Sequence, residues 1–302
     1  MPELVVVALG GNALLRRGEP LTEEVQQRNV AAAAPAVAAV ARAHRVVVTH
    51  GNGPQIGLLA LESEAYQDVP PYGLDVLGAE SQGMIGFLLE QALRNALDGR
   101  TVATLLTSVL VDADDPAFQA PTKPVGPAYP EDLARELAQA RGWRIARDGA
   151  AFRRVVPSPR PLAILELEAI RILVEAGVLV ICAGGGGVPV VRRADGALDG
   201  VEGVVDKDRT AALLAEALGA DRLLLLTDVA NVYAGWGTAA ARPIGETSVS
   251  ELRRLAFEPG SMGPKVEAAC RFAERTGRPA SIGALVDAPE ILAGRAGTTV
   301  RP

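Results

Sequence analysis

The sequence predicts an α/β fold built on a parallel sheet, and three observations carry the prediction. Val5-Val6-Val7-Ala8-Leu9 is an apolar run, β-branched at its front, of the kind that forms a strand buried on both faces. The same plan recurs at Val46-Val47-Val48-Thr49 and at Val178-Leu179-Val180-Ile181, with helical stretches between. Each run then opens onto a glycine-rich turn: Gly10-Gly11-Asn12, His50-Gly51-Asn52-Gly53-Pro54-Gln55, and Gly184-Gly185-Gly186-Gly187. In an open parallel sheet, ligands bind beyond the carboxyl ends of the strands, and glycine lets the backbone approach them closely. One such turn reads equally well as a tight strand-to-helix connection. Repeated at three strand ends, it suggests a shared anion-binding edge.

The remaining elements follow in chain order. Thr22 is placed to cap a helix with Glu23 and Glu24 in its first turn. That helix runs through alanine-rich sequence to Arg45, with a kink expected at Pro35. The strand Val46–Thr49 completes a βαβ unit, and hence a parallel pair. Pro54–Tyr66 reads as helix, Asp75–Gly86 leads into a helix ending near Leu97, and Thr101–Val111 reads as one strand. Between Asp112 and Pro161 the texture changes, with eight of the 21 prolines, Trp143, and a helix at Pro130–Arg141. This reads as an excursion from the sheet, a small subdomain with rigid entry and exit, and we expect it to act as a lid. Leu162–Ala176 is predicted helical before the strand into Gly184–Gly187. Asp206-Lys207-Asp208 starts a helix through Leu218, Asp221–Thr227 is a strand, Val229–Trp236 a loop and Thr247–Leu255 a helix. Gly260-Ser261-Met262-Gly263-Pro264-Lys265 is a glycine loop feeding helix Val266–Thr276, and a last α/β stretch closes the chain.

Composition excludes several classes. With 302 residues, 49% of them hydrophobic, the chain can bury a large core as one α/β domain or two lobes. A net charge of −6 argues against a nucleic-acid surface. Cys182 and Cys270 make neither a disulfide framework nor a metal cluster, which suits a reducing compartment. No basic leader precedes the first strand and no apolar run would span a bilayer, so a soluble cytoplasmic protein with no membrane partner is expected. Of 30 basic residues only Lys123, Lys207 and Lys265 are lysine. Either three lysines escaped a bias toward arginine, or they stand where a compact, mobile charge is needed.

The chemistry is narrowed by what is missing. There is no P-loop signature and no dinucleotide fingerprint with a downstream ribose-binding acid. His44 and His50 are the only histidines, which leaves little for a Ser-His-Asp or zinc hydrolase. What remains is backbone N–H groups, lysines and aspartates at strand ends, the equipment of phosphoryl transfer. Lys207 is placed to meet phosphate oxygens; Asp208 either holds that lysine or shares Mg²⁺ with a nucleotide. Lys265 lies on a glycine turn at a helix start, a second phosphate seat. Both segments read alternatively as plain helix-start turns.

These motifs, together with Glu80-Ser81-Gln82-Gly83, Val156-Pro157-Ser158-Pro159 and Val188-Pro189-Val190, resemble the carbamate kinases of the amino acid kinase family, in order from residue 5 to residue 300. The resemblance implies a three-layer αβα sandwich on a mainly parallel sheet, and a homodimer. It implies an N-terminal lobe, residues 1–205, for carbamate and carbamoyl phosphate, with the excursion at 112–161, and a nucleotide-binding lobe at 206–302. Gly10, Gly11, Asn12, Gly51, Asn52 and Gly53 would hold carbamate and the phosphoryl group. Lys123 would reach in from the excursion. Lys207 and Lys265 would stabilise the transferring group, with Asp208 orienting them. Thr227, Asp228, Tyr233, Met262 and Gly263 would lie near the nucleotide. ATP or ADP would be the co-substrate, with Mg²⁺ held mainly by its phosphates, and arginine catabolism the setting. Ala230-Asn231 departs from the pattern, which expects an acidic residue after Asp228-Val229. Two alternatives remain: a relative with an acetylglutamate- or UMP-type acceptor, or a non-catalytic nucleotide or carbamoyl-phosphate sensor.

Overall fold

Alternation along the first strand builds the layers. The computed structural model describes residues 2–11, 14–16, 18–257 and 262–302, and in it β1 (Leu4–Leu9) is buried along its whole length. Successive side chains on a strand point to opposite faces. Val5, Val7 and Leu9 therefore enter one apolar core, while Leu4, Val6 and Ala8 enter another on the far side.

Helix α1 (Glu23–Ala43) starts where expected, with Thr22 accepting from the Val25 N–H, and it carries Pro35 inside. It returns the chain to β2 (Arg45–His50), which pairs in parallel with β1. Two helices, α2 (Gly53–Ala65) and α3 (Leu74–Ala96), come next. The predicted strand Thr101–Val111 is in fact two, β3 (Val102–Thr104) and β4 (Ser108–Leu110). They break apart because Thr107 between them exchanges both backbone bonds with the Gln82 amide of α3, so the chain leaves one sheet for another.

The excursion folds as β5 (Lys123–Tyr129), α4 (Glu131–Arg141), β6 (Arg144–Asp148) and β7 (Ala151–Val156). Its three strands form their own antiparallel sheet, in the order β5-β7-β6. The Arg141 and Arg154 guanidiniums lie 5.0 and 5.1 Å from the Trp143 ring centroid, and Tyr129 packs beside that ring. Glu64 of α2 takes both of those arginines.

Leu162–Ala176 begins as a strand rather than as helix, because its first residues pair with β4 as β8 (Ala163–Ile164) before α5 (Leu167–Glu175) forms. Then come β9 (Leu179–Ile181), β10 (Val188–Arg192), β11 (Leu198–Gly200), α6 (Lys207–Leu218) and β12 (Arg222–Thr227). The expected loop at Val229–Trp236 contains β13 (Val232–Ala234), which forms a hairpin with β14 (Arg242–Ile244). The expected helix Thr247–Leu255 is shorter. Its start pairs as β15 (Glu246–Ser248), and a Ser248/Glu251 capping box then opens α7 (Val249–Leu252). Last are α8 (Met262–Thr276), β16 (Ala280–Ala284), α9 (Ala288–Leu292) and β17 (Thr298–Arg301).

Among the described residues, eight strands form the main sheet, in the order β15-β17-β16-β12-β1-β2-β9-β3, and only the β16–β17 pair is antiparallel. Helices α1, α3 and α9 cover one face and α5, α6 and α8 the other, giving an αβα sandwich on a mainly parallel sheet. A third, smaller core lies where the excursion meets the body, with Ile56, Ala60, Leu74 and Leu77 against Val125 and Val156.

Candidate active site

The carboxyl ends of β1, β2 and β12 lie side by side, so their turns share one edge. The glycine tract after β9 packs onto the same place. A Cβ at Gly184 would fall 2.5 Å from the His50 ring, and one at Gly185 2.1 Å from the Asn52 amide. Only a backbone without side chains can approach so closely. Asn52 is held from the other side, where its Nδ2 donates to Ser81 Oγ at 2.8 Å and Ser81 donates onward to the Gly78 carbonyl. The Glu80-Ser81-Gln82-Gly83 stretch thus acts through Ser81 and Gln82, both buried beneath the turns.

Onto this edge comes the start of α6. Asp206 caps it, its Oδ1 accepting from the N–H groups of Asp208 and Arg209 at 3.0 and 3.2 Å. Lys207 Nζ donates to Asp208 Oδ1 at 2.6 Å, and Lys265 Nζ, from the first turn of α8, to Asp208 Oδ2 at 3.1 Å. Lys123, at the start of β5, reaches across to Asp206 Oδ2 at 2.6 Å. Every lysine in the chain therefore converges on two aspartates at one helix start, leaving an excess of one positive charge.

Burial sets the electrostatics. Desolvation pulls the Lys207 ammonium down to about 8, against the opposing pull of Asp208, and Lys265 adds repulsion. Burial also works against charge on Lys265, but Asp208 outweighs it and holds that lysine above its ordinary value. Burial likewise disfavours charge on Asp208, yet Lys207 and Lys265 hold its carboxyl below the usual range. His50, buried against this cluster, falls to about 4 through desolvation, with Lys207 pushing the same way. Its Nδ1–H donates to the Gly51 carbonyl, so it stands neutral and committed at pH 7. A buried cluster of this kind is weak as a source of stability, because desolvation offsets its Coulomb attraction. It is well suited to meeting an anion.

The sequence model of the amino acid kinase family matches residues 3–284. The chain belongs to the amino acid kinase family. It is 53% identical over 299 residues to a carbamate kinase of Rhizobium meliloti, covering 98% of this chain and 92% of that one. Its fold is similar to a Giardia lamblia carbamate kinase bound to citric acid, with TM-score 0.94, 40% identity and coverage of 99% and 98%. The same enzyme bound to AMP-PNP matches with TM-score 0.90 at 40% identity, covering 99% of this chain and 98% of that one.

The remaining residues singled out in the sequence are placed as follows. Gly51 adjoins Lys207, whose side chain lies 3.4 Å from where a Gly51 Cβ would be, with Gly11 at 3.6 Å; Gly10 lies against Leu226 and Thr227 at the end of β12, and Asn52 against Gly185. Gly53 faces the excursion, 3.7 Å from the Pro124 carbonyl by the same measure. The N–H groups of Gly10 and Gly51 are spent on the Leu226 and Leu9 carbonyls, so these glycines contribute close approach rather than donors. Thr227, at the end of β12, donates to Asp228 at 3.0 Å. Tyr233 packs on Trp236, 5.2 Å between centroids, on the β13–β14 hairpin, and Met262 and Gly263 open α8 ahead of Lys265. Asn12, Gly260 and Ser261 lie outside the described residues.

At the departure Ala230-Asn231, the asparagine has a structural use. Its amide donates to the Ile244 and Gly297 carbonyls at 3.1 and 2.7 Å, tying the hairpin to the sheet, which a carboxylate could not do. The sequence does not mark Asp206 as a lysine partner beyond its place in the Asp-Lys-Asp triplet. Its carboxylate and that of Asp208 are both committed to lysines, and among the described residues no group of three or more acidic, His or Cys side chains could hold a metal.

Proposed function

We infer that the chain catalyses reversible phosphoryl transfer, ATP + carbamate to ADP + carbamoyl phosphate. One observation carries the reading: all three lysines converge on one helix start, in a chain that matches carbamate kinases along nearly its whole length. A carbamate oxygen attacks the γ-phosphorus, and the bond to the bridging oxygen of ADP breaks. Carbamate is already an anion at neutral pH, so the attacking oxygen has no proton to lose. The committed, neutral His50 suits a reaction with no general base.

The task left is electrostatic, since two anions must meet. We assign Lys207 and Lys265 to the transferring phosphoryl group, with Asp208 holding both, and Lys123 to the acceptor end. The N–H groups of Gly11 and Gly53 and the side chains of Asn12 and Asn52 complete the acceptor seat. Thr227, Asp228, Tyr233, Met262 and Gly263 take the nucleotide. Residues 1–205 and 206–302 form the two lobes; each supplies one half of the main sheet, β1-β2-β9-β3 and β15-β17-β16-β12 respectively. Mg²⁺ fits as a partner carried on the nucleotide phosphates, since the nearby carboxylates are held by lysines. Bound there, it would neutralise charge on the β- and γ-phosphate oxygens.

Carbamoyl phosphate is a mixed anhydride of high transfer potential, which favours the ATP-forming direction and suits arginine catabolism. We place the protein in the cytoplasm: both cysteines are free and buried, and among the described residues no helix is long and apolar enough to cross a membrane. We also propose a homodimer through the edge strand β3 and α3. Phe87 and Leu106 stand 63% and 56% exposed there, lining a cleft of about 600 Å³.

The test is to supply carbamoyl phosphate and Mg-ADP and measure ATP. Robust ATP formation is expected. Transfer from ATP to acetylglutamate or UMP instead would assign a different acceptor, and binding without turnover would make the chain a sensor.

A further inference from the structure

The two oxygens of Asp206 do separate work. Oδ1 accepts from the N–H groups of Asp208 and Arg209, which closes the first turn of α6. Oδ2 accepts from Lys123 Nζ at 2.6 Å, across 83 residues of sequence. The side chain is largely buried, with 12% of its surface exposed, so this ion pair is screened far less than one in open water. Asp208 shows the same division, Oδ1 to Lys207 and Oδ2 to Lys265. One carboxylate thus serves the two lysines of the body, and the other serves the single lysine carried by the excursion.

From this division we propose that Asp206 is a positioning residue for the phosphoryl-transfer reaction, anchoring Lys123 so that the excursion presents its charge to the acceptor end of the site. The assignment rests on the reading of the chain as a carbamate-directed kinase. Capping and anchoring meet in one side chain, so the turn that orients Lys207 and Asp208 also sets the place of Lys123. The strand itself is seated on the body beside Lys123, through Val125 and Val156 in the small core and Gly126 on Gly57, so losing the anchor frees the Lys123 side chain and not the excursion. The ammonium would then sample many positions, and reactions are sensitive to misplacement on the scale of an ångström.

Asp206→Asn separates the two functions. Asparagine caps helices as well as aspartate does, so its oxygen keeps the bonds to Asp208 and Arg209. Its NH₂ replaces Oδ2 and presents a donor to an ammonium, which breaks only the anchor. With carbamoyl phosphate and Mg-ADP, D206N should lower kcat/KM for carbamoyl phosphate by roughly 10- to 100-fold, the scale of a ~1 Å misplacement. The KM for ADP and the melting temperature should stay near wild type. In a Lys123→Ala background, D206N should change kcat/KM by less than about threefold, because the group it positions is gone. Equal losses in both backgrounds would overturn the proposal and leave Asp206 as a helix cap alone.

A second readout does not need turnover. The chain has only three lysines, so labelling with an amine-reactive reagent and mass spectrometry reports each one. D206N should speed labelling of Lys123 severalfold over wild type while Lys265 labels at its original rate; an unchanged Lys123 rate would also overturn the anchor. If the wild-type protein makes no ATP from carbamoyl phosphate, the functional reading fails, and this labelling comparison alone decides for or against the anchor.

Discussion

Replacing Gly57 with alanine perturbs the site without touching any residue that faces a ligand. A Cβ at Gly57 would lie 1.9 Å from the Cα of Gly126 and 2.1 Å from its nitrogen. Ordinary contact begins near 3.4 Å, so β5 must retreat from α2 by about 1.5 Å. The obstacle is backbone on both sides, and no rotamer change relieves it. Lys123 sits on the same strand, and a rigid retreat of that size would stretch its 2.6 Å contact with Asp206 to about 4 Å. Such a displacement costs turnover on the order of 10²-fold. Overpacking should cost about 1–3 kcal/mol of stability, so the variant melts earlier but still folds. The assay is ATP formation from carbamoyl phosphate and Mg-ADP, with ADP affinity measured by calorimetry. We expect kcat to fall and ADP affinity to hold. Gly126→Ala should displace β5 less, since its Cβ would lie 3.3 Å from the Gly57 Cα, and its cost should come mainly from the backbone strain of a φ of +71°. If Gly57→Ala keeps more than about a third of wild-type kcat, against the ~10² expected, the seating of the excursion does not set the place of Lys123.

Further predictions concern the charges directly. Lys123→Ala should cut turnover strongly and leave ADP affinity nearly unchanged; a matching loss of nucleotide binding would move this lysine to the nucleotide site. Lys207→Arg and Lys265→Arg should each lose about 10²-fold or more in turnover, the scale of one oxyanion donor. The Lys207 stem lies against Gly51, and a guanidinium is larger than an ammonium and fixed in its fork; retention of about a tenth of activity by either variant, on that same scale, would make the lysines interchangeable with arginine. In free enzyme, Lys207 loses its charge as pH rises through about 8, so kcat/KM should decline above that pH, and a flat profile to pH 10 would contradict it. His50 has a folded value near 4, below its unfolded value of about 6.5, so its neutral form contributes stability that is full above pH 6.5 and is lost as pH falls toward 4. His50→Gln should flatten the melting temperature across that window. A sedimentation mass near 31 kDa at micromolar concentration would remove the homodimer.

Local signals were legible in the chain and long-range ones were not. β1, β2 and the Thr22 cap follow from apolar runs and a capping side chain, because strand burial and helix starts are decided by neighbouring residues. The lysines stood out only against a background of arginine. The break between β3 and β4 escaped the periodicity because Gln82, 25 residues earlier, competes for the backbone of Thr107. The start of α5 differs from the sequence expectation for a similar reason, since pairing with β4 overrides local helix preference. Asp206 looked like a helix cap, and it is one; its second bond goes to a residue brought near only by the folded excursion.

We assign Lys207 and Lys265 to the phosphoryl group during transfer rather than to binding alone. Single-turnover transfer from prebound carbamoyl phosphate to Mg-ADP, measured for Lys207→Ala and Lys265→Ala at saturating ligands, tests that claim most directly. We predict a transfer step slowed by roughly 10²-fold or more in each variant, with ADP dissociation constants within a few-fold of wild type. A wild-type transfer rate with weakened ADP binding would contradict it, and would make the lysine cluster a nucleotide-binding device.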